Sequence, residues 1–524
     1  MDAMVDISSV DESTASQIST RESMYKNRGM TSIELRKRRE TDAVQLRKNK
    51  RDDAFSKRRN IDASDSFVED NDDENSVTAA VFRNDDLLSL LSDDPKLQGN
   101  ILHLLRKHAC APYDDIIRLG LVPVIVSILK SNDSLEIRRD AAWLLSDIVS
   151  GTTAHTRCVV EADAVPTFIA LLSSDDEELR KQCLVALGNI AGDQNAYRTI
   201  CIDNGIMPAL LNLVNASNSA SECRNAVWTI SNVCRGKKCP EEYQKAVVVL
   251  PALSKLLFSR DAAVVADACR ALTYLSDGPD EYIECVIQAG VVRRLVELLL
   301  HPDHKVCSSA LMAVGNIVTG TNQQTQAVLN CSALGCLGYL LQNSKETLEQ
   351  EVCWTLSNIL AGNRKQIQAV IDAHLLPPLI SVLSSGKFKS RKEACWAVSN
   401  AIAGGSVAQI ATIVNEGAVH PLCDLLTVME PRIVDIALTA LENILKAGEV
   451  TKNRTKSSVN PYCELIEEAH GLEKLEFLQQ SPNFEIYVKA FDLIETFFAD
   501  NENDETVDVA DQGEMHSETA NFAF

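Results

Sequence analysis

The sequence predicts an all-α solenoid built by stacking, and three regularities predict it. Asn189, Asn232, Asn316, Asn358, Asn400 and Asn443 fall on a grid with a step of 42 or 43 residues, and Asp147 and Tyr274 occupy the two remaining rungs. A second ladder runs four residues upstream, through Trp143, Val185, Trp228, Arg270, Met312, Trp354, Trp396 and Thr439, and it carries all four tryptophans of the chain. The third regularity is a recurring turn: Gly120-Leu-Val-Pro123, Asp163-Ala-Val-Pro166, Gly205-Ile-Met-Pro208 and Gly290-Val-Val-Arg293 each precede an apolar run. Residues four apart share one helix face, and a fixed period near 42 marks a helical repeat array.

Each element follows from this register. Gly stops one helix and Pro is tolerated in the first turn of the next. Similar turns recur near Pro251, Gly335, Pro377 and Gly417. Asp133, Asp175 and Asp176 stand before a third helix, where an acid complements the positive end of the dipole. Three helices per unit is the armadillo pattern rather than the two-helix HEAT pattern. The expected fold is a right-handed superhelical armadillo solenoid of about ten units over 81–499, closed by an atypical unit that restarts at Gly471. A chain of 524 residues exceeds one ordinary core, a limit that stacking avoids.

Outside the repeats the composition shifts. Residues 1–24 are polar and Ser-rich and read as disordered. Between Arg28 and Arg59 twelve basic residues face five acidic ones, and Thr31 with Glu34 forms a capping box that starts an amphipathic helix. The basic domain is placed at 25–62, an acidic linker at 63–80 and an acidic disordered tail at 500–524.

The net charge of −22 argues against direct nucleic-acid binding and favours a basic partner. Sixteen cysteines without a CxxC pair read as small buried residues in a reducing compartment. No signal peptide and no apolar run long enough to span a membrane is expected. No P-loop or GxSxG motif occurs, so no enzyme is expected. His301, His304 and Cys307 suggest a metal only weakly, because His301 precedes Pro302 in a turn, and no cofactor is expected. His155 with Cys158 lacks the orienting group of a thiol nucleophile.

On the third helix two stripes run side by side. Cys223, Val227, Ile230 and Cys234 form the core stripe; Ser221, Asn225, Trp228 and Asn232 repeat the spacing about one residue around the helix. An Asn amide both donates and accepts, so a row of them suits the backbone of an extended peptide. Parallel indoles leave slots for Lys or Arg stems, with a cation–π contribution of about 0.5–2 kcal/mol each. Several such slots in series read a run of basic residues.

The Trp-xxx-Asn ladder and the basic segment ending in Lys57-Arg58-Arg59-Asn60 resemble the importin-α family of nuclear import adaptors. The resemblance implies a larger site for nuclear localisation signals at Trp143, Asp147, Gly151, Thr156, Gln182, Val185, Asn189, Asp193, Asn225, Trp228 and Asn232, with the Gly151 carbonyl, Thr156 and Asp193 holding a key lysine. A smaller site would comprise Val318, Thr325, Glu351, Trp354, Ser357, Asn358, Glu393, Trp396 and Asn400. It also implies an N-terminal importin-β-binding domain acting through Arg36, Lys37, Arg38, Arg39, Arg47, Lys48, Lys50, Arg51, Lys57, Arg58 and Arg59. An export receptor of the CAS type with Ran-GTP would dock near Glu464, Glu467 and Glu468, nucleoporins would be further partners, and the protein would shuttle between cytoplasm and nucleus.

The chain departs from the family pattern at Asp147, where Asn is usual, and at Val185 and Arg270, where Trp is usual. Asp147 cannot donate to a peptide carbonyl, Val185 removes a wall of two lysine slots, and Arg270 opposes a cation. Greater reliance on the smaller site is therefore expected; the alternative is that the extra acidity compensates, the Asp147 charge attracting a lysine, and that the larger site still dominates. Lys57-Arg58-Arg59 itself looks like a ligand, and its linker gives an effective concentration on the order of mM. Capture of residues 28–60 by importin-β would remove that competitor. The competing class is an armadillo scaffold of the β-catenin kind without a transport role. Such a groove is basic, whereas residues 63–524 carry 37 basic against 62 acidic residues.

Overall fold

The computed structural model describes residues 83–92, 94–107, 112–216, 219–343 and 346–498, and among these every regular element is helical. The basic segment, the acidic linker and the acidic tail lie outside the described residues. The chain divides into two compact units, Met1–Leu340 and Leu341–Phe524.

In the first unit the long helices are α1 (Pro95–Lys107), α2 (Leu135–Ser150), α3 (Glu177–Asp193), α4 (Ala220–Cys234), α5 (Ala262–Leu275) and α6 (His304–Ile317). Two shorter helices precede each from α2 onward, for example Thr153–Glu161 and Ala164–Leu171 before α3. The second unit repeats the plan with α7 (Glu346–Leu360), α8 (Phe388–Gly404), α9 (Pro431–Thr455) and α10 (Phe484–Phe497).

The turn between the two short helices needs a left-handed residue. Gly120, Gly205, Gly290 and Gly417 take φ between 69° and 88° there, and Asp163, Ser332, His374 and His470 adopt the same region at φ 53–62°. Glycine reaches it without steric cost. Several long helices start at side-chain caps: Asp176 accepts from the Leu179 N–H, Asp261 from those of Ala263 and Val264, and Asp303 from those of Lys305 and Val306. These caps lie before α3, α5 and α6, and Ser134 rather than Asp133 precedes α2.

The core stripe is buried as its spacing predicts. Val227, Ile230 and Cys234 have no exposed surface, while Cys223 is half-buried. A fully buried aliphatic side chain contributes roughly 1.5–3 kcal/mol, so every third helix anchors its unit. Ion pairs run between successive repeats. Arg139 pairs with Asp176, Arg180 with Glu222 at 2.5 Å and Arg224 with Asp261 in the first unit, and Lys392 pairs with Glu430 at 2.9 Å in the second. The Arg139 guanidinium holds the Asp176 carboxyl below its usual range. Burial instead raises the thiols, Cys234 to about 11 and Cys269 to about 12, as expected for packing residues. No single described helix is long and apolar enough to cross a membrane.

Candidate functional site

The ladder begins where one third helix meets the next. Trp228 on α4 lies against α3 at Gly188, so closely that a Cβ there would stand 2.2 Å from Cζ3 of the indole. One turn on, the Asn232 amide donates to the Gly188 carbonyl at 2.9 Å. Thr229 donates to the Leu184 carbonyl at 3.0 Å and Arg235 to the Gly192 carbonyl at 3.1 Å, completing a zipper along the end of α3. Only Gly192 lies in the last turn of α3, where a carbonyl has no partner within the helix; Leu184 and Gly188 lie inside it and accept these bonds through their second lone pair.

The same contact recurs. Asn316 donates to the Thr273 carbonyl at 2.8 Å in the first unit, and Asn400 to the Ser357 carbonyl at 2.9 Å in the second. Each of these amides therefore commits one N–H to locking its helix to the preceding one and keeps a second N–H and the oxygen. Sequence reasoning missed this role. Its signal was the residue before the rung, which is small at seven of the eight: Ser146, Gly188, Ser231, Thr273, Gly315, Ser357 and Ser399; Glu442 breaks the pattern, and Asn443 donates instead to the Thr439 carbonyl of its own helix at 2.9 Å.

Several polar atoms of the ladder are buried and make no hydrogen bond among the described residues: Oε1 of Gln182, Oδ1 of Asn316 and Nδ2 of Asn358. Leaving such a group unpaired costs about 1–3 kcal/mol, and a ligand backbone could recover that.

The predicted residues of the larger site lie in the first unit. Trp143 and Asn225 are part-exposed, Val185 is buried in register with the tryptophans and Asn189 is 1% exposed. Gly151 caps α2 and is exposed, whereas Thr156 is fully buried, its hydroxyl donating to the Val149 carbonyl at 3.4 Å. Thr156 thus supports the Gly151 turn from beneath. Thr153, one turn nearer solvent, donates to Asp193 at 2.9 Å. Asp147 accepts from the hydroxyl of Tyr113, a partner that sequence reasoning missed, and burial raises its carboxyl above the usual range. Its charge is therefore engaged within its own repeat. Arg270 is likewise held by the buried carboxylate of Asp267 at 2.7 Å, so the cation on this rung is largely offset.

Of the smaller-site residues, Val318 and Thr325 belong to the first unit, where the Thr325 hydroxyl donates to the Val318 carbonyl at 3.3 Å. The other seven belong to the second unit. Trp354 is 2% exposed, and Trp396 is half-buried with the Arg432 guanidinium 5.6 Å from its ring centroid. Glu393 is buried and Glu351 half-buried. The Ser357 hydroxyl donates to the Trp354 carbonyl at 2.8 Å, so Ser357 contributes its own carbonyl rather than a free hydroxyl. Glu464, Glu467 and Glu468 are exposed along Pro461–Glu468. The basic residues from Arg36 to Arg59 lie outside the described residues. His301 accepts from the Asp303 N–H at 3.0 Å, while the Cys307 thiol donates to the Leu299 carbonyl, and no group of three metal-ligating side chains assembles among the described residues.

Fold and ladder together define an armadillo-repeat protein. Eight segments, 111–150, 152–192, 194–235, 240–277, 279–319, 321–361, 363–403 and 406–446, match the armadillo/beta-catenin-like repeat, and 460–512 matches an atypical Arm repeat. Residues 21–99 match the importin beta binding domain. The chain is 54% identical to importin subunit alpha-2 of Arabidopsis thaliana, over 80% of this chain and 79% of the relative. It is 48% identical to importin subunit alpha-B of Dictyostelium discoideum over 80% of each, and 42% identical to importin subunit alpha-1b of Oryza sativa subsp. japonica over 79% and 78%. A crystal structure of an engineered protein superposes with a TM-score of 0.71 at 29% identity, over 79% of this chain and 98% of the other. The chain belongs to the importin-α family. Its role is that of a nuclear import adaptor, with an importin-β-binding domain at its N-terminal end.

Proposed function

We propose that the ladder binds lysine- and arginine-rich nuclear localisation signals of cargo as extended chains, with indoles bracketing the basic stems and amides holding the backbone. The observation that carries this reading is the set of buried amide atoms without partners at Gln182, Asn316 and Asn358. An extended backbone offers both donors and acceptors to such atoms, whereas the backbone groups of a helix or sheet are already paired. The larger site comprises the residues from Trp143 to Asn232, and the smaller the residues from Val318 to Asn400. Because Val185 leaves two lysine slots of the first without a wall and Asp147 is engaged by Tyr113, the smaller site carries the greater share.

The segment Lys57-Arg58-Arg59 competes with cargo for the ladder, and capture of residues 28–60 by importin-β releases it, so the two partners bind with positive coupling. The exposed acids Glu464, Glu467 and Glu468 receive an export receptor of the CAS type with Ran-GTP, and the protein shuttles between cytoplasm and nucleus. Fluorescence anisotropy of a labelled lysine-rich peptide against the full-length chain, with and without excess importin-β, tests the coupling. Tighter binding with importin-β is expected, and equal affinities would exclude self-competition.

A further inference from the structure

The first helices of the repeats share a recurring start. Thr321, Asn363 and Ser406 each cap a helix whose third residue is glutamine, Gln324, Gln366 and Gln409. Gln324 accepts from the Thr321 N–H at 3.0 Å through Oε1 and donates through Nε2 to the Asp280 carbonyl of the preceding repeat at 2.8 Å. Gln409 does the same with the Ser406 N–H at 3.0 Å and the Arg364 carbonyl at 2.8 Å. The amide fastens its own cap to the repeat before it.

The second repeat departs from this. Thr152 caps Thr153–Glu161, and the third residue is His155. Its ring reproduces the glutamine geometry. Nε2 lies 2.9 Å from Oδ1 of Asp114 in the preceding repeat. Nδ1 takes the place of Oε1: a Cβ on Gly151 would stand 2.5 Å from it, as a Cβ on Gly320 would stand 2.0 Å from Oε1 of Gln324 and one on Gly362 2.1 Å from Oε1 of Gln366. Nδ1 is buried and makes no hydrogen bond among the described residues. The difference is chemical, because glutamine never titrates and imidazole changes charge near neutrality.

We propose that His155 is a positioning residue for the cation pocket at Gly151, and that its proton competes with a ligand lysine there. The inference rests on the ladder being a basic-peptide site. With Nε2–H donating to Asp114 and Nδ1 bare, the ring holds the Gly151 turn in the shape that glutamine gives elsewhere and adds no charge. Protonation adds a positive charge, partly offset by Asp114, beside the Gly151 turn whose carbonyl would hold the lysine ammonium. The charged group that faces the ring is Asp114 on Tyr113–Arg118; Arg157 and Glu161 stand on its own helix, and Asp193, bonded by Thr153, at the end of α3. Proton and ligand bind in mutual opposition, so affinity falls as pH falls.

The test uses the full-length chain with excess importin-β, histidine labelled with carbon-13, and a saturating Lys-Lys-Lys-Arg-Lys peptide. The His155 resonance, assigned by its absence in His155→Gln, is expected to titrate at lower pH when peptide is bound. Between about pH 7.5 and 5.5 the wild type should lose about fivefold more affinity than His155→Gln, the size of one close Coulomb repulsion in water. His155→Ala should weaken binding already at neutral pH, and His155→Gln should rescue it. A resonance unmoved by bound peptide, or equal pH slopes in wild type and His155→Gln, overturns the proposal. A peptide that binds at no pH overturns the ladder reading instead.

Discussion

The stretch α2–α4 and the pair α7–α8 are built on one register, yet they treat their polar groups differently. In α2–α4 Tyr113 takes Asp147, Trp228 is pressed onto Gly188 and Thr156 is covered beneath the Gly151 turn, while Oε1 of Gln182 stays without a partner. In α7–α8 both tryptophans remain, Trp396 is half-buried like Trp143, and the rung amide itself, Asn358, keeps a buried NH2 without a partner. A ladder that closes on itself gains stability and loses binding capacity. One that leaves an amide unpaired gives up stability that a ligand can restore.

This contrast can be broken most forcefully at the contact positions themselves. Gly188→Ala puts a methyl 2.2 Å from the Trp228 ring and should cost about 1–3 kcal/mol by overpacking, read as a fall in Tm. Its counterpart Ser357 already carries a Cβ, so Ser357→Ala should leave Tm nearly unchanged; equal losses would show that the two stretches do not differ in tightness. Next in size, Trp396→Ala should weaken a lysine-rich peptide roughly tenfold, the equivalent of a cation–π pair of about 1.4 kcal/mol, and Trp143→Ala less. Peptide anisotropy ranks the two, and the reverse order would return dominance to the larger site.

Asn232→Ala removes the donor to the Gly188 carbonyl and should cost about 1 kcal/mol in urea unfolding, with the midpoint moving and the slope constant. The smallest expected effect concerns Asp147. Burial raises its folded pKa above the unfolded value near 3.8, so its proton stabilises the fold at low pH, and that contribution is lost as pH rises through the folded value. Asp147→Asn should therefore remove a fall in stability just above about pH 4, measured by urea midpoints across that range. An unchanged profile would mean that Tyr113 compensates the charge fully.

Much of this was legible in the sequence. The period of 42 or 43 fixed the third helices, and Gly120, Gly205, Gly290 and Gly417 stand in left-handed turns because only such residues reverse the chain there cheaply. Less legible was the dual use of the amides. That Asn232 bonds Gly188, 44 residues away, depends on how closely two helices approach, and the small residue before every rung but Asn443 hints at this only after the contact is known. Tyr113 escaped notice because it sits on a six-residue helix outside the ladder, with no periodic partner to mark it. Arg270 was read as opposing a cation, a reading that omitted Asp267 three residues earlier on the same helix, where i,i+3 pairing was available.

Asn358→Ala tests the central claim most directly, because stability and affinity should move in opposite senses. Its Nδ2 has no partner among the described residues, so Tm should stay level or rise, while affinity for a lysine-rich peptide should fall about five- to tenfold. Unchanged affinity at unchanged Tm would mean that the ladder amides do not hold the ligand backbone.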